Sequence, residues 1–537
     1  MKKIIYSFTI LALTLVSCSD FVDVNTTENN PLTESISPRS VLPGAQSLAF
    51  NTQVGGTRMN QLGSVLTNSW AGNVNRVTGG YSKEFTQNID NTFYNGIWDG
   101  IYLNVYNFQN IINTERPNQE NYIAIAKILK AYYMQYIVDL YGKAPYSQAF
   151  QGRNNLTPTY DDDRAIYRAL VQELEEAREL IANSPDAEEV VSDIMLGGDM
   201  DKWVSFANTI ELRLILRQSN LTDGETVTYR NAKLAELVAL NDFITEDVTI
   251  NPGYSEANDD QQNPFFNDYV ADAAGTSPQN RNFVVASSHI ATFLNGTQTT
   301  PNNTVGLVDG RRFRMFTNPA PGGVPSNNVG GVTQGDVTIA AGGNAPTDTN
   351  LSRLGIGITG LVNGSANGGN TALQNGSRRN GFVMLLSESY FLQSEAAVRY
   401  PAVFTQDAKA LFEQGISASF DFYSPTYVGA TLPALDASAY ITASDSYAGI
   451  GWTASSNKIQ AIMTQKWLAL TGIHGIEPYI DFIRTGFPLT PQPLTANGPT
   501  KPKRLFYPLS EYVANSGNIP PLSLSQIFTE GAFWIAN

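Results

Sequence analysis

One stretch limits the possible fold more than any other: Asn121 to Phe150, NYIAIAKILKAYYMQYIVDLYGKAPYSQAF. Ile125, Ile128, Leu129, Tyr132 and Tyr136 recur at i, i+3, i+4, i+7 and i+11, which puts an apolar stripe along a helix of about 20 residues. Gly142 is placed for a left-handed C-terminal cap and Pro145 bars continuation, so the helix ends there. Other helices must cover so much aromatic surface. Tyr132, Tyr133, Tyr136 and Tyr141 sit at core spacing.

Several further segments share the helical period. Asn91 to Asn113 places Ile97, Ile101, Val105, Phe108 and Ile112 on one side, and the short connection that follows predicts an antiparallel partner for the central helix. Asp161 to Asn183 aligns Ile166, Leu170, Leu174, Ala177 and Ile181; Asp201 to Gln218 aligns Trp203, Phe206, Ile210 and Leu214. Towards the C-terminus, Phe382 to Arg399 is broken by Pro401 and followed by Thr405 to Phe420, and Ile459, Ile462, Met463, Trp467 and Leu470 stripe one more helix. Trp98, Trp203 and Trp467 fall on apolar faces and read as core, while Ala396, Ala397 and Gly415 leave room for close helix pairs. The pattern predicts a mostly α fold with tetratricopeptide-like paired helices, a scaffold over about 91–220 and 382–485 without a fixed repeat length. Between about 221 and 380 the period fades and Gly, Asn, Thr and Pro crowd in. This predicts a long, loop-rich inserted subdomain with little strand, and loops of that length are more often functional than idle.

The N-terminus carries its own signal. Lys2 and Lys3 precede the apolar run Ile4 to Val16, which is too short to span a bilayer, and Leu15-Val16-Ser17-Cys18 closes it. Cys18 is the chain's single cysteine, so it cannot form an internal disulfide. Residues 1–17 therefore resemble a bacterial lipoprotein signal peptide with Cys18 as the lipidated residue, 18–40 a flexible acidic tether, and 41–537 the body. No later segment is apolar for 18 residues, leaving the lipid as the only expected membrane attachment. The formal charge of −15 argues against a nucleic-acid partner; the basic cluster Arg311, Arg312 and Arg314 is expected to be paired or solvated.

The order of these motifs resembles the SusD/RagB family of outer-membrane nutrient-binding lipoproteins. The matching segments are D-L-Y-G-x-x-P-Y at the end of the central helix, FVMLLSESYFLQSEAA from Phe382, the Q-K-W helix followed by an E-P-Y-I-D-F-I-R-T-G-F-P turn, and KRLFYPLSEYVAN from Lys503. Asp309 and Arg311 add a D-x-R element. The resemblance implies a helical, surface-exposed lipoprotein that binds oligosaccharides or polysaccharides and caps a SusC-like TonB-dependent transporter. It leaves the ligand open, because the family's sugar-binding aromatics lie outside these motifs. Peptides or another nutrient on the same scaffold remain an alternative.

An enzyme reading finds little machinery. His289 and His474 are the only histidines, and no H-E-x-x-H, Walker-type or G-x-S-x-G motif is present. Gly355, Gly357 and Gly360 spell G-x-G-x-x-G, but no amphipathic helix and no ribose-binding acid follow. Asp161 to Asp163 read as charge at a helix N-terminus. Asp259 and Asp260 could serve a glycosidase, bind sugar hydroxyls, hold calcium or face water. No catalytic residue, metal or cofactor is expected. A sugar binder needs aromatic faces beside amides, carboxylates or guanidinium groups. Two stretches supply that mixture: Trp70, Asn73, Arg76, Tyr81 and Phe85, and then Tyr254, Asp259, Asp260, Asn263, Phe265, Phe266 and Tyr269.

Overall fold

A computed structural model describes residues 36–73, 80–336, 348–361, 375–426 and 432–535. Residues 1–17, Cys18, most of the 18–40 segment and Arg76 lie outside the described residues. The first half supplies α1 (Pro38–Val54), α2 (Met59–Leu66), α3 (Asn95–Ile112), α4 (Glu120–Tyr141), α5 (Asp163–Asn183), α6 (Met200–Arg217) and α7 (Gly224–Leu240). The second supplies α8 (Leu386–Arg399), α9 (Ala408–Tyr423), α10 (Ala437–Ser444), α11 (Lys458–Leu470) and α12 (Ile476–Thr485). Strand is confined, among the described residues, to β1 (Trp70–Gly72) paired antiparallel with β3 (Val284–Ala286), and β2 (Val248–Ile250) paired antiparallel with β4 (Gly381–Met384). The mostly α architecture of successive paired helices is as the periodicity predicts.

The central helix is α4, and it is buried more completely than one apolar stripe requires. From Ile128 to Tyr141 every residue is buried, because α3 and α5 flank it while α1 and α6 close the remaining sides. The Tyr132 hydroxyl donates to the Val383 carbonyl at 2.7 Å, and Trp98 of α3 meets Tyr141 edge-on at 4.9 Å. At the C-terminal end, Gly142 takes a positive φ of 74°. The near-C-terminal KRLFYP segment then satisfies carbonyls that the end of any helix leaves without partners. Leu505 N donates to Leu140 O at 2.7 Å, Arg504 to Tyr141 O, and Tyr507 to Lys143 O at 2.9 Å. Two of the sequence motifs therefore bind each other.

The acidic run before α5 divides its labour. Asp162 caps the helix through the backbone N–H groups of Arg164 and Ala165, Asp161 accepts from Tyr146 N and Ser147 N, each at 2.8 Å, and Asp163 accepts from Phe533 N. Glycine is required where helices approach closely. A Cβ on Gly415 of α9 would lie 2.7 Å from the Phe391 ring of α8, and one on Gly63 of α2 would lie 2.0 Å from the Gly475 carbonyl.

Three local expectations are revised. α7 is a full helix inside the region read as loop-rich, packing on α6; only Thr226, Arg230, Leu234 and Leu237 of it are buried, so its apolar stripe is too narrow to read. The E-P-Y-I-D-F-I-R-T segment is a helix, α12, ended by Gly486 in the left-handed region, rather than a turn. α1 begins at Pro38, inside the segment read as tether.

Candidate functional site

Charged residues from several of the sequence motifs converge in the core with Arg213, Arg217 and Arg399. Arg213 and Arg217 lie four residues apart on α6, and Glu477 and Asp481 four apart on α12, so each pair shares a helix face. Arg213 meets Glu388 of α8 at 2.8 Å and Glu477 at 3.5 Å. Arg217 meets Glu477 at 2.7 Å, Asp481 at 3.3 Å and Asp139 of α4 at 3.4 Å. Lys466, the lysine of Q-K-W, lies 3.0 Å from Asp481. Arg484 and Arg399 both hold Glu395 of α8. Five carboxylates face five cations, and all but Arg399 are at most 1% exposed in their side chains. Asp139 also accepts from the Tyr167 hydroxyl and, at 3.0 Å, from Trp534 Nε1 near the C-terminus. These motifs thus clamp α4, α6, α8, α11 and α12 together, and no ligand can reach them in this state.

The network makes stability depend on pH in two opposed ways. Burial disfavours the Glu395 charge, but Arg484 and then Arg399 outweigh it and hold its pKa at about 2. Its folded pKa is lowered, so its contribution is full above its ordinary range near 4.5 and is lost as pH falls towards 2, an effect of roughly 3 kcal/mol. Burial raises Asp139 to about 6 in spite of Arg217, so its contribution is present below its ordinary value near 3.8 and is lost as pH rises through 6. These two contributions together are greatest at about pH 4–5. Asp139→Asn, which cannot ionise, should therefore gain stability relative to the unchanged chain as pH rises from 4 to 6, and a difference that stays constant over that range would contradict the assignment of Asp139.

The first candidate stretch lies mostly inside. Trp70 is 0% exposed in β1 and packs on Tyr269 at 5.3 Å, with Phe265 at 6.5 Å. Tyr81, also buried, stacks obliquely on Phe283 at 4.7 Å with Phe85 beside it. Asn73 is buried, its backbone N–H donating to Phe283 O at 2.7 Å. In the second stretch Tyr254 is buried, while Asp259 and Asp260 sit in an exposed turn, with Asp259 accepting from Ala273 N at 2.8 Å. Asn263 caps the short helix Pro264–Tyr269 and donates to Arg379 O at 3.0 Å. Tyr269 donates to Gln61 at 2.8 Å.

Phe265 is different, because it remains half-buried and stacks on Tyr269 at 4.8 Å and 23°. Beside it opens a small cleft of about 30 Å³, which Asn263 and Phe266 also line. Its deeper wall is apolar: Phe50 and Val54 of α1, Ile358 and Ile473. Its mouth is formed by Phe265, Phe382, Arg379 and Asn380, which all keep solvent contact. Arg379 stands over Phe382 at 5.0 Å and donates to Gly357 O at 2.7 Å; Asn380 accepts from Asn251 at 2.8 Å. The cleft thus joins part of one candidate stretch to Phe50, Ile358, Arg379, Asn380, Phe382 and Ile473, which sequence reasoning missed. They come from distant parts of the chain, and the sole local hint was the polar R-R-N-G turn leading into β4.

Both histidines and Arg311 are enclosed. Burial pushes His289 down to about 3, and its ring lies 5.5 Å from Trp467. His474 lies between Tyr136 at 3.2 Å and Glu388 at 3.5 Å, in the sealed network. Arg311 is paired with Asp309 at 2.7 Å and is 0% exposed. Glu175, Glu211 and Glu236 bring carboxylate oxygens within 4.8 Å of one another. Arg178 meets Glu211 at 2.7 Å and Lys233 meets Glu175 at 2.5 Å, so the protein's own cations already offset that cluster.

Comparison with known proteins places this architecture. The SusD-like family model described as starch-binding, associating with outer membrane, matches residues 33–508. The chain belongs to this SusD-like family. No curated protein matches it in sequence. Among solved structures, a chitin-binding SusD homolog from Flavobacterium johnsoniae is 21% identical, with a TM-score of 0.67 over 92% of this chain and 98% of that one. A chitin-binding protein is 20% identical, with a TM-score of 0.67 over 93% and 100%. A SusD homolog from Bacteroides uniformis is 23% identical, with a TM-score of 0.66 over 93% and 99%. These likenesses establish a SusD-like fold over nearly the whole chain. Among the described residues, no helix is long and apolar enough to cross a membrane.

Proposed function

We propose that this SusD-like protein is a lipoprotein, anchored through Cys18 to the outer membrane and facing the cell exterior, that captures oligosaccharides or polysaccharides. It then delivers them to a SusC-like TonB-dependent transporter. The observation that carries the ligand reading is the half-buried Phe265 at the mouth of a cleft whose rim offers Arg379 and Asn380. A flat aromatic face stacks on the apolar side of a pyranose while amide and guanidinium groups meet its hydroxyls. The family description and the chitin-binding names of two structural relatives support the same ligand class. No bond is made or broken in this role, and the transporter supplies the energy-coupled step.

The test is affinity electrophoresis of the chain lacking residues 1–18 against a panel of polysaccharides. Retardation without product is the expected result. Release of reducing ends that disappears when Asp259 and Asp260 are replaced would replace binding with hydrolysis. Copurification of the full-length lipoprotein with an outer-membrane barrel tests the delivery step, and its absence under mild detergent would count against it.

A further inference from the structure

We infer that the cleft beside Phe265 accepts an acetamido group, so that the captured glycan is built from N-acetylated amino sugars; this rests on the glycan-binding reading above. Size comes first. The free volume of about 30 Å³ holds about one or two waters, enough for the methyl and carbonyl of an acetyl group and too little for a pyranose ring. The sugar ring must then lie outside, where Phe265 and Phe382 keep solvent contact.

Chemistry narrows the substituent. Phe50, Val54, Phe266, Ile358 and Ile473 make most of the interior apolar, which suits a methyl. The polar side chains that also line it are engaged within the protein, Asn263 with Arg379 O and Phe266 N and Thr359 with Gly355 O and Leu361 N, so a hydroxyl placed there would lose its water for poor compensation. A bare methyl would leave the polar rim unused. Asn380 spends its side-chain oxygen on Asn251, which leaves its amide N–H groups as donors for the carbonyl of a planar acetamide at the mouth. A substituent with a methyl at its tip and an amide at its base matches both layers.

Isothermal titration of the chain lacking residues 1–18 with N-acetylchitohexaose and with cellohexaose compares equal length and linkage with and without the acetamido group. The N-acetylated ligand should bind at least about tenfold tighter. Equal affinity would overturn the inference while leaving glycan capture intact; binding of neither, or of oligopeptides in their place, would overturn both. Val54→Ile adds one methylene to the cleft wall and should weaken N-acetylchitohexaose about tenfold while moving the melting temperature by only a few degrees. Asn380→Ala, at the exposed rim, should also weaken it without touching the core. Unchanged affinity in both variants would sink the location of the subsite.

Discussion

Replacing Arg217 with methionine should lower the stability of the fold by about 3–5 kcal/mol. Arg217 meets Glu477, Asp481 and Asp139 with its side chain 1% exposed, so the substitution leaves three carboxylates facing one fewer cation in a medium that cannot solvate them. Methionine fits much of the same volume, so lost packing does not account for a penalty of this size. Chemical denaturation, followed by circular dichroism and by tryptophan fluorescence, measures it. Trp534 donates to Asp139, so the fluorescence should report loosening around this network. A stability change below about 1 kcal/mol would mean that water enters the network and screens it as it does surface pairs.

Trp70→Ala should cost a similar amount, about 3–5 kcal/mol, through the cavity left in a packed core. Its ring is fully buried against Tyr269 and near Phe265. The comparison that decides its role is Phe265→Ala, which removes a half-buried ring at the cleft and should leave the melting temperature within a few degrees while weakening glycan binding about tenfold. A Trp70→Ala protein that melts normally but no longer binds glycan would show that Trp70 is a ligand platform and that its burial is relieved on binding.

Much of the scaffold was legible because helical burial leaves a period in the chain. Ile97, Ile101, Val105 and Phe108 are buried as their spacing predicts, as are Ile166, Leu170, Leu174 and Ala177. α7 escaped because a helix lying on the outside of the scaffold buries so few positions. α4 was underestimated for the opposite reason: it is enclosed on all sides, and periodicity measures a contrast that full burial erases. The spacing of Arg213 with Arg217, and of Glu477 with Asp481, was visible in the chain as well. Charges four apart on a helix usually signal a solvated face, so nothing local marks these as core.

The candidate site was less legible. Trp70, Tyr81 and Tyr254 stand among Asn and Gly, a context that suggests exposed loops, yet each is buried. The β1–β3 pairing sets Trp70 opposite Ala286, a contact between residues more than two hundred positions apart. What the amino-acid sequence by itself determined is the helical scaffold, its stops at Gly142 and Pro145, and the motif order that marks a SusD-like chain. Propensity, period and capping are local properties, and the residues carrying them are neighbours in the chain. Only the tertiary structure decided that the motif charges neutralise one another in the core, and that Phe265 rather than Trp70 keeps a face to solvent. Charge pairing and solvent exposure depend on which distant segments meet, and no window of sequence contains that information.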